Sequence, residues 1–300
     1  MQLILGLSVY AAGILFVALT AYKAANYAKM PLHARMELYP VPSEKGRHVY
    51  GGSYMEEAEW WRKPHEVSKV DEIMDMMKEM LFIKKLFDNQ RPFWWLSYSL
   101  HLGIYFMMAW TFLLIAGAFT NLAGLPVSAH ASWWTALLYY LTIYTGAVGF
   151  VLSTAGAFLL LVRRITDPIL KKYTTPQEYF NLALILAALV SGIILWSPDL
   201  TFGTARQLMA DAITLSVIPN TTLVIHLIIL EVMFIYIPIS KMSHYVGKYF
   251  SYHKILWENE PNVAGSHMEV MVKTALSNNP PQTIWSAPHM QPPTASPKES

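Results

Sequence analysis

Histidine is the residue type in this chain whose placement could do chemistry. Of ten histidines, His101, His130, His226 and His244 fall within or at the edge of long apolar runs. An ionisable side chain is costly there, and a functional role is the default expectation. His226 and His244 are 18 residues apart, five turns at about 3.6 residues per turn, which predicts both imidazoles on one face of a single helix, about 27 Å apart along its axis. That stripe would suit two haems stacked across a membrane, or two polar residues hydrogen-bonding neighbouring helices. His101 supplies a facing imidazole at the depth of His244, and a bis-histidine iron needs two neutral imidazoles from facing helices. The other six, His33, His48, His65, His253, His267 and His289, read as surface or partner-contact residues.

The elements that must position these histidines are membrane spans. The chain has 300 residues, 54% apolar and 14% charged, which excludes a disordered chain and disfavours an ordinary soluble domain. Leu3 to Tyr22 carries no charge, enough to cross a hydrocarbon core about 30 Å thick. No Asp, Glu, Lys or Arg occurs between Arg91 and Arg163, too long for one span. Gly124, Pro126 and Ser128 between Asn121 and Ala131 predict a turn there, hence a helical hairpin. Tyr179 to Trp196 is the fourth expected span and roughly Asn220 to Val246 the fifth. The expected fold is therefore an all-α integral membrane protein, a five-transmembrane-helix bundle. It divides into a first helix (1–22), a cytoplasmic connection (23–91), a four-helix membrane region bearing the ligands (92–253) and a cytoplasmic tail (254–300).

Of the 22 Lys and Arg residues, all but Arg206 lie in the odd-numbered connections or after the fifth span. The positive-inside rule then puts the N-terminus outside and the C-terminus in the cytoplasm. No basic segment precedes the first span, so it is not read as a cleaved signal peptide. Trp94, Trp95, Trp133 and Trp134 fall where interfacial aromatic belts are expected. With no cysteine, the chain holds no cysteine-ligated cluster, no thioether-linked haem and no disulfide.

In Glu66 to Asp88, Val70, Ile73, Met74, Met77, Met80 and Leu81 recur at helical spacing among charges, predicting an amphipathic helix on the membrane or on a partner subunit. After about Lys254 the chain turns polar, and six prolines follow Ser277, so it reads as an extended tail ordered by a partner. Glu231, the one acid inside a span, stands about 140° around the helix from His226. It would serve a proton path or bond a neighbouring helix.

Three segments together resemble the gamma subunit of respiratory nitrate reductase and its relatives, the cytochrome b subunits of membrane heterodisulfide reductase and of the sulfate-reducer Dsr and Tmc complexes. They are His101-Leu102-Gly103-Ile104; Leu159-Leu160-Leu161 through Arg163-Arg164, Pro168 and Thr174-Thr175; and His226 followed by Pro238, Ser240 and His244. The likeness covers the spans but neither the long first connection nor the tail, which look more like the heterodisulfide-reductase-related branch. It implies a membrane subunit of a prokaryotic inner-membrane respiratory complex, with haem b groups passing electrons between menaquinone or another quinone at the outer side and a cytoplasmic iron–sulphur subunit. A periplasmic multihaem cytochrome c is a further partner it suggests.

In that family the second span bears two histidines ten residues apart, whereas here Thr111 stands ten after His101. The resemblance thus keeps His101 with His244 and leaves His226 without its usual partner. His130, in the outer turn, is the replacement at hand, or else a solvated loop histidine or part of a quinone pocket. The family's quinone-contacting lysine has no counterpart either, Tyr139 and Tyr140 occupying that region. The rival reading is a haem-free anchor that tethers a catalytic subunit. A transporter is disfavoured by the lack of an inverted repeat.

Overall fold

The computed structural model describes residues 2–29, 58, 69–256 and 263–278. Two compact units are distinguished, Met1–Ala28 with Ile73–Phe250, and Lys29–Glu72 with Ser251–Ser300. Among the described residues every regular element is a helix.

Five helices of the described residues are long and apolar enough to cross a membrane: α1 (Gln2–Lys29), α4 (Arg91–Leu122), α5 (Trp133–Thr166), α7 (Pro176–Trp196) and α9 (Thr221–Ile239). Short helices lie between and after them: α2 (Lys69–Phe82), α3 (Lys84–Asn89), α6 (Pro168–Tyr173), α8 (Gly203–Ile213), α10 (His244–Leu256) and α11 (His267–Asn278). The hairpin expected between the second and third spans is present, and its turn is set by the capping box of Ser132 and Thr135 that starts α5. Asn220 starts α9 by accepting the Leu223 amide at 2.9 Å, satisfying one of the amides a helix start leaves unpaired.

The tightest pairing is α4 with α5, made by small residues. Gly146, Gly149, Ser153, Gly156 and Ala157 form a buried stripe on α5. A Cβ added to Gly103 would run into the Ser153 backbone, and one on Gly156 into the Leu100 backbone. Without a hydrophobic force between helices in lipid, such close backbone approach is what holds them. The hydroxyls of Thr142, Thr145 and Ser153 donate to carbonyls of their own helix, so these three are paired in an apolar setting, whereas Thr154 Oγ1 and Trp110 Nε1 are buried without a partner among the described residues.

From α4 and α5 the packing continues to α7 and then α9, while α4 and α9 are not closely packed against each other. Helix α1 joins α9 through Ser8 Oγ donating to Glu231 Oε1 at 2.8 Å and through Phe16 against Phe234. Glu231 therefore bonds a neighbouring helix. The end of this unit that carries Lys23, Arg91, Arg163 and Lys241 is called the basic end below.

Four expectations are corrected. The fifth helix does not run on through His244. It stops at Ile239, Ser240 is extended, and a 3-10 turn Lys241–Ser243 precedes α10. Pro238 and Ser240 make the break: the Ser240 hydroxyl accepts the Met242 amide at 3.1 Å. Lys23 donates to the freed Pro238 carbonyl at 3.1 Å and to Ser243 Oγ. The amphipathic segment is two helices, because Ile83 takes the left-handed conformation at φ 53°; residues 66–68 lie outside the described ones. Trp94 is a buried hydrogen-bond donor to the Phe82 carbonyl at 2.7 Å, whereas Trp95, Trp133 and Trp134 are exposed as anchors should be. The tail includes the helix α11, where Glu269 pairs with Lys273 at 2.6 Å. Its remaining stretches, 257–262 and 279–300, lie outside the described residues, as do His33, His48, His65 and His289.

Candidate functional site

The gap between α4 and the α9–α10 break is where the first histidine pair meets. His101 lies ten residues into α4, and Leu100 and Gly103 on either side of it are buried, facing α5. That leaves its imidazole facing the gap. Across it stands His244, aimed by the break at Ser240 rather than by helical periodicity. The two ring centroids are 6.0 Å apart with planes 75° from parallel.

That separation has a chemical meaning. A metal–imidazole bond of about 2.0 Å on each side, plus the roughly 1 Å from ring nitrogen to centroid, puts two axial imidazoles about 6 Å apart. His101 Nδ1 lies 2.7 Å from the Ser97 carbonyl oxygen. A carbonyl only accepts, so Nδ1 carries the proton and Nε2 keeps the lone pair a ligand needs. Among the described residues no three His, Asp or Glu side chains gather as a metal-holding group. Two imidazoles alone are what an iron already held by four porphyrin nitrogens would take. The residues at this end thus fit a bis-histidine haem.

His101 is half-buried and His244 exposed, so the pair borders open space. Beside His244 a cavity of about 400 Å³ is lined by Lys23, Tyr27, Gln177, Ser240, Lys241 and Ser243.

The other end is built differently. His226 Nδ1 is 2.8 Å from Ser191 Oγ, whose own proton goes to the Ala188 carbonyl at 3.0 Å. Gly192 lies beside it, and a Cβ there would touch both Phe150 and the His226 ring. Phe150 belongs to an aromatic cluster with Trp110, Trp196 and Phe202; ring centroids are 4.9 to 6.3 Å apart. Phe202 at its centre is fully buried. Thr111 is exposed and donates its hydroxyl to the Met107 carbonyl. His130 is exposed in the turn after α4. The structure brings His101 and His244 together and does not bring His130 to His226.

Sequence reasoning passed over Arg206. It stands on α8, which was not anticipated between the fourth and fifth spans, and only 3% of it is exposed. Its side chain lies along Gly117 of α4, and Nε and Nη2 have no hydrogen-bond partner. Burial lowers its pKa, which the charge of Asp199 holds up. A lone arginine on the sparsely charged side was the signal available. Asp199 itself is raised by burial but brought down to about 2 overall by the hydroxyls and amides of Thr201 and Thr204. No protein-family model, curated protein or solved structure matches this chain.

Proposed function

We propose that the chain is a membrane haem b subunit of a respiratory complex, moving electrons between the quinone pool and a cytoplasmic iron–sulphur subunit. The observation that carries the reading is the 6.0 Å separation of the His101 and His244 imidazoles, with Ser97 fixing the His101 tautomer. Haem supplies the one-electron chemistry. The residues that would hold it are His101 and His244, with a low-dielectric surround from the five apolar helices and orientation through Ser97 and the Ser240 break. By the positive-inside rule the basic end is cytoplasmic, which sets this haem on the side of the iron–sulphur partner.

The resemblance puts quinone at the outer side. That route would need a second haem ligated by His226, with His130 the remaining candidate opposite, and the aromatic packing around Phe150 and Phe202 gives that pair no support. The cavity beside His244 offers room for a quinone headgroup at the basic end. The reading accordingly has one haem per chain, with quinone approaching it from the basic end.

A reduced-minus-oxidised spectrum of the purified chain tests this. The expected result is a low-spin b-type signal that disappears in His244→Ala. A chain with no haem signal would favour the anchor reading.

A further inference from the structure

We infer that the α2–α3 elbow is a clamp that sets the spacing of the two haem-facing histidines, with Glu79 as its positioning residue. This rests on the haem reading above, and the geometry beneath it stands by itself.

Two adjacent residues near the end of α2 tie together the helices that bear the histidines. The Met80 carbonyl accepts the Tyr105 hydroxyl at 2.7 Å, and Tyr105 is one turn beyond His101 on α4. Glu79 Oε1 accepts Lys248 Nζ at 2.7 Å, and Lys248 is one turn beyond His244 on α10. Residues four apart share a helix face, so both bonds lie on the faces from which the imidazoles project.

The sequence and the packing agree that this is a built feature. On α2 several apolar residues are exposed, Ile73 at 55% and Met74 at 52%, while Asp75 and Glu79 are 5% and 6% exposed. A helix that only lay on lipid would turn its acids to water. Here Asp75 and Glu79 face inward and are paired, Asp75 with Lys84 at 3.2 Å and Glu79 with Lys248. Glu79 Oε2 also accepts the Lys85 amide at 2.8 Å, closing the turn at Ile83. That residue is β-branched and left-handed at φ 53°, a conformation that persists only where surrounding bonds over-determine it. The Trp94 indole, bonded to the Phe82 carbonyl, is one of those bonds. A buried carboxylate stripped of its cation is strongly unfavourable, so the pair resists opening.

The test uses the full chain in lipid nanodiscs with three variants, Glu79→Gln, Tyr105→Phe and Lys248→Met. Because the chain has no cysteine, spin labels at Met77→Cys and Tyr249→Cys report the α2-to-α10 distance without any haem. The clamp predicts a broadened distance distribution in Glu79→Gln and in Lys248→Met. It also predicts a shift of haem midpoint potential and electron-paramagnetic-resonance signal in Glu79→Gln and Tyr105→Phe. An unchanged distance distribution and unchanged haem signal in Glu79→Gln would overturn the clamp, as would an unchanged distribution in Lys248→Met. A narrow, Glu79-dependent distribution in a chain without haem would keep the clamp and reject the haem reading, so the two fail separately.

Discussion

The two ends of the helix bundle hold similar raw materials and use them differently. Each has a span-borne histidine hydrogen-bonded through Nδ1, His101 to Ser97 and His226 to Ser191. At the basic end a second imidazole faces the first and a cavity opens alongside. At the opposite end three aromatic rings close around Phe202 and a buried arginine lies against Gly117. A histidine within a span is thus a ligand candidate only where a break in the backbone and a gap in the packing give it a partner.

The comparison predicts unequal consequences for mutation. The largest is His101→Ala, expected to abolish haem binding, read as loss of the low-spin signal. The same substitution at His226 or His130 is expected to leave haem content at the parent value. Next is Gly103→Ala, whose Cβ would meet the Ser153 backbone. Overpacking of this kind costs about 1 to 3 kcal/mol, and it would tilt α4 and weaken haem retention with it. A melting curve in detergent showing no loss would mean that α4 and α5 can part without cost.

Arg206→Met sharpens the contrast from the other end. Removing a buried cation with two unpaired nitrogens should raise stability by about 1 to 2 kcal/mol. A fall in melting temperature would show that the guanidinium has a partner which stabilises it.

The smallest effect belongs to Asp199. Its folded pKa of about 2 lies below the ordinary 3.8, so its contribution is present in full above about pH 4 and is lost as pH falls toward 2. Asp199→Asn should therefore lower thermal stability at neutral pH and flatten the acid limb between pH 4 and 2. A variant whose acid limb matches the parent would place the acid sensitivity elsewhere.

Much of this architecture was legible in the residues. Charge-free runs located the first four long helices and a nearly charge-free apolar run the fifth, because the bilayer sets their length; Gly124 and Pro126 marked the hairpin. His101 and His244 were legible as a pair from depth alone. Periodicity alone did not read the break at Ser240, although Pro238 was its local signal; its bonding partner Lys23, which takes the Pro238 carbonyl from more than two hundred residues away, was not legible. The same is true of α2. Its alternation of apolar and charged residues is real, but which face turns inward is decided by Lys248, Tyr105 and Trp94, partners that no local pattern contains. The outer pair was read from His130's place in the outer turn, and what the pattern did not contain is the packing beside His226, where Gly192 and Phe150 lie against it.

The most direct test of the central claim is haem stoichiometry in the purified chain, measured by pyridine haemochrome against protein mass and paired with a low-temperature electron-paramagnetic-resonance spectrum. One haem b per chain is expected, with the strongly anisotropic low-spin signal of axial imidazoles whose planes stand 75° apart. Two haems per chain, or none, would contradict it.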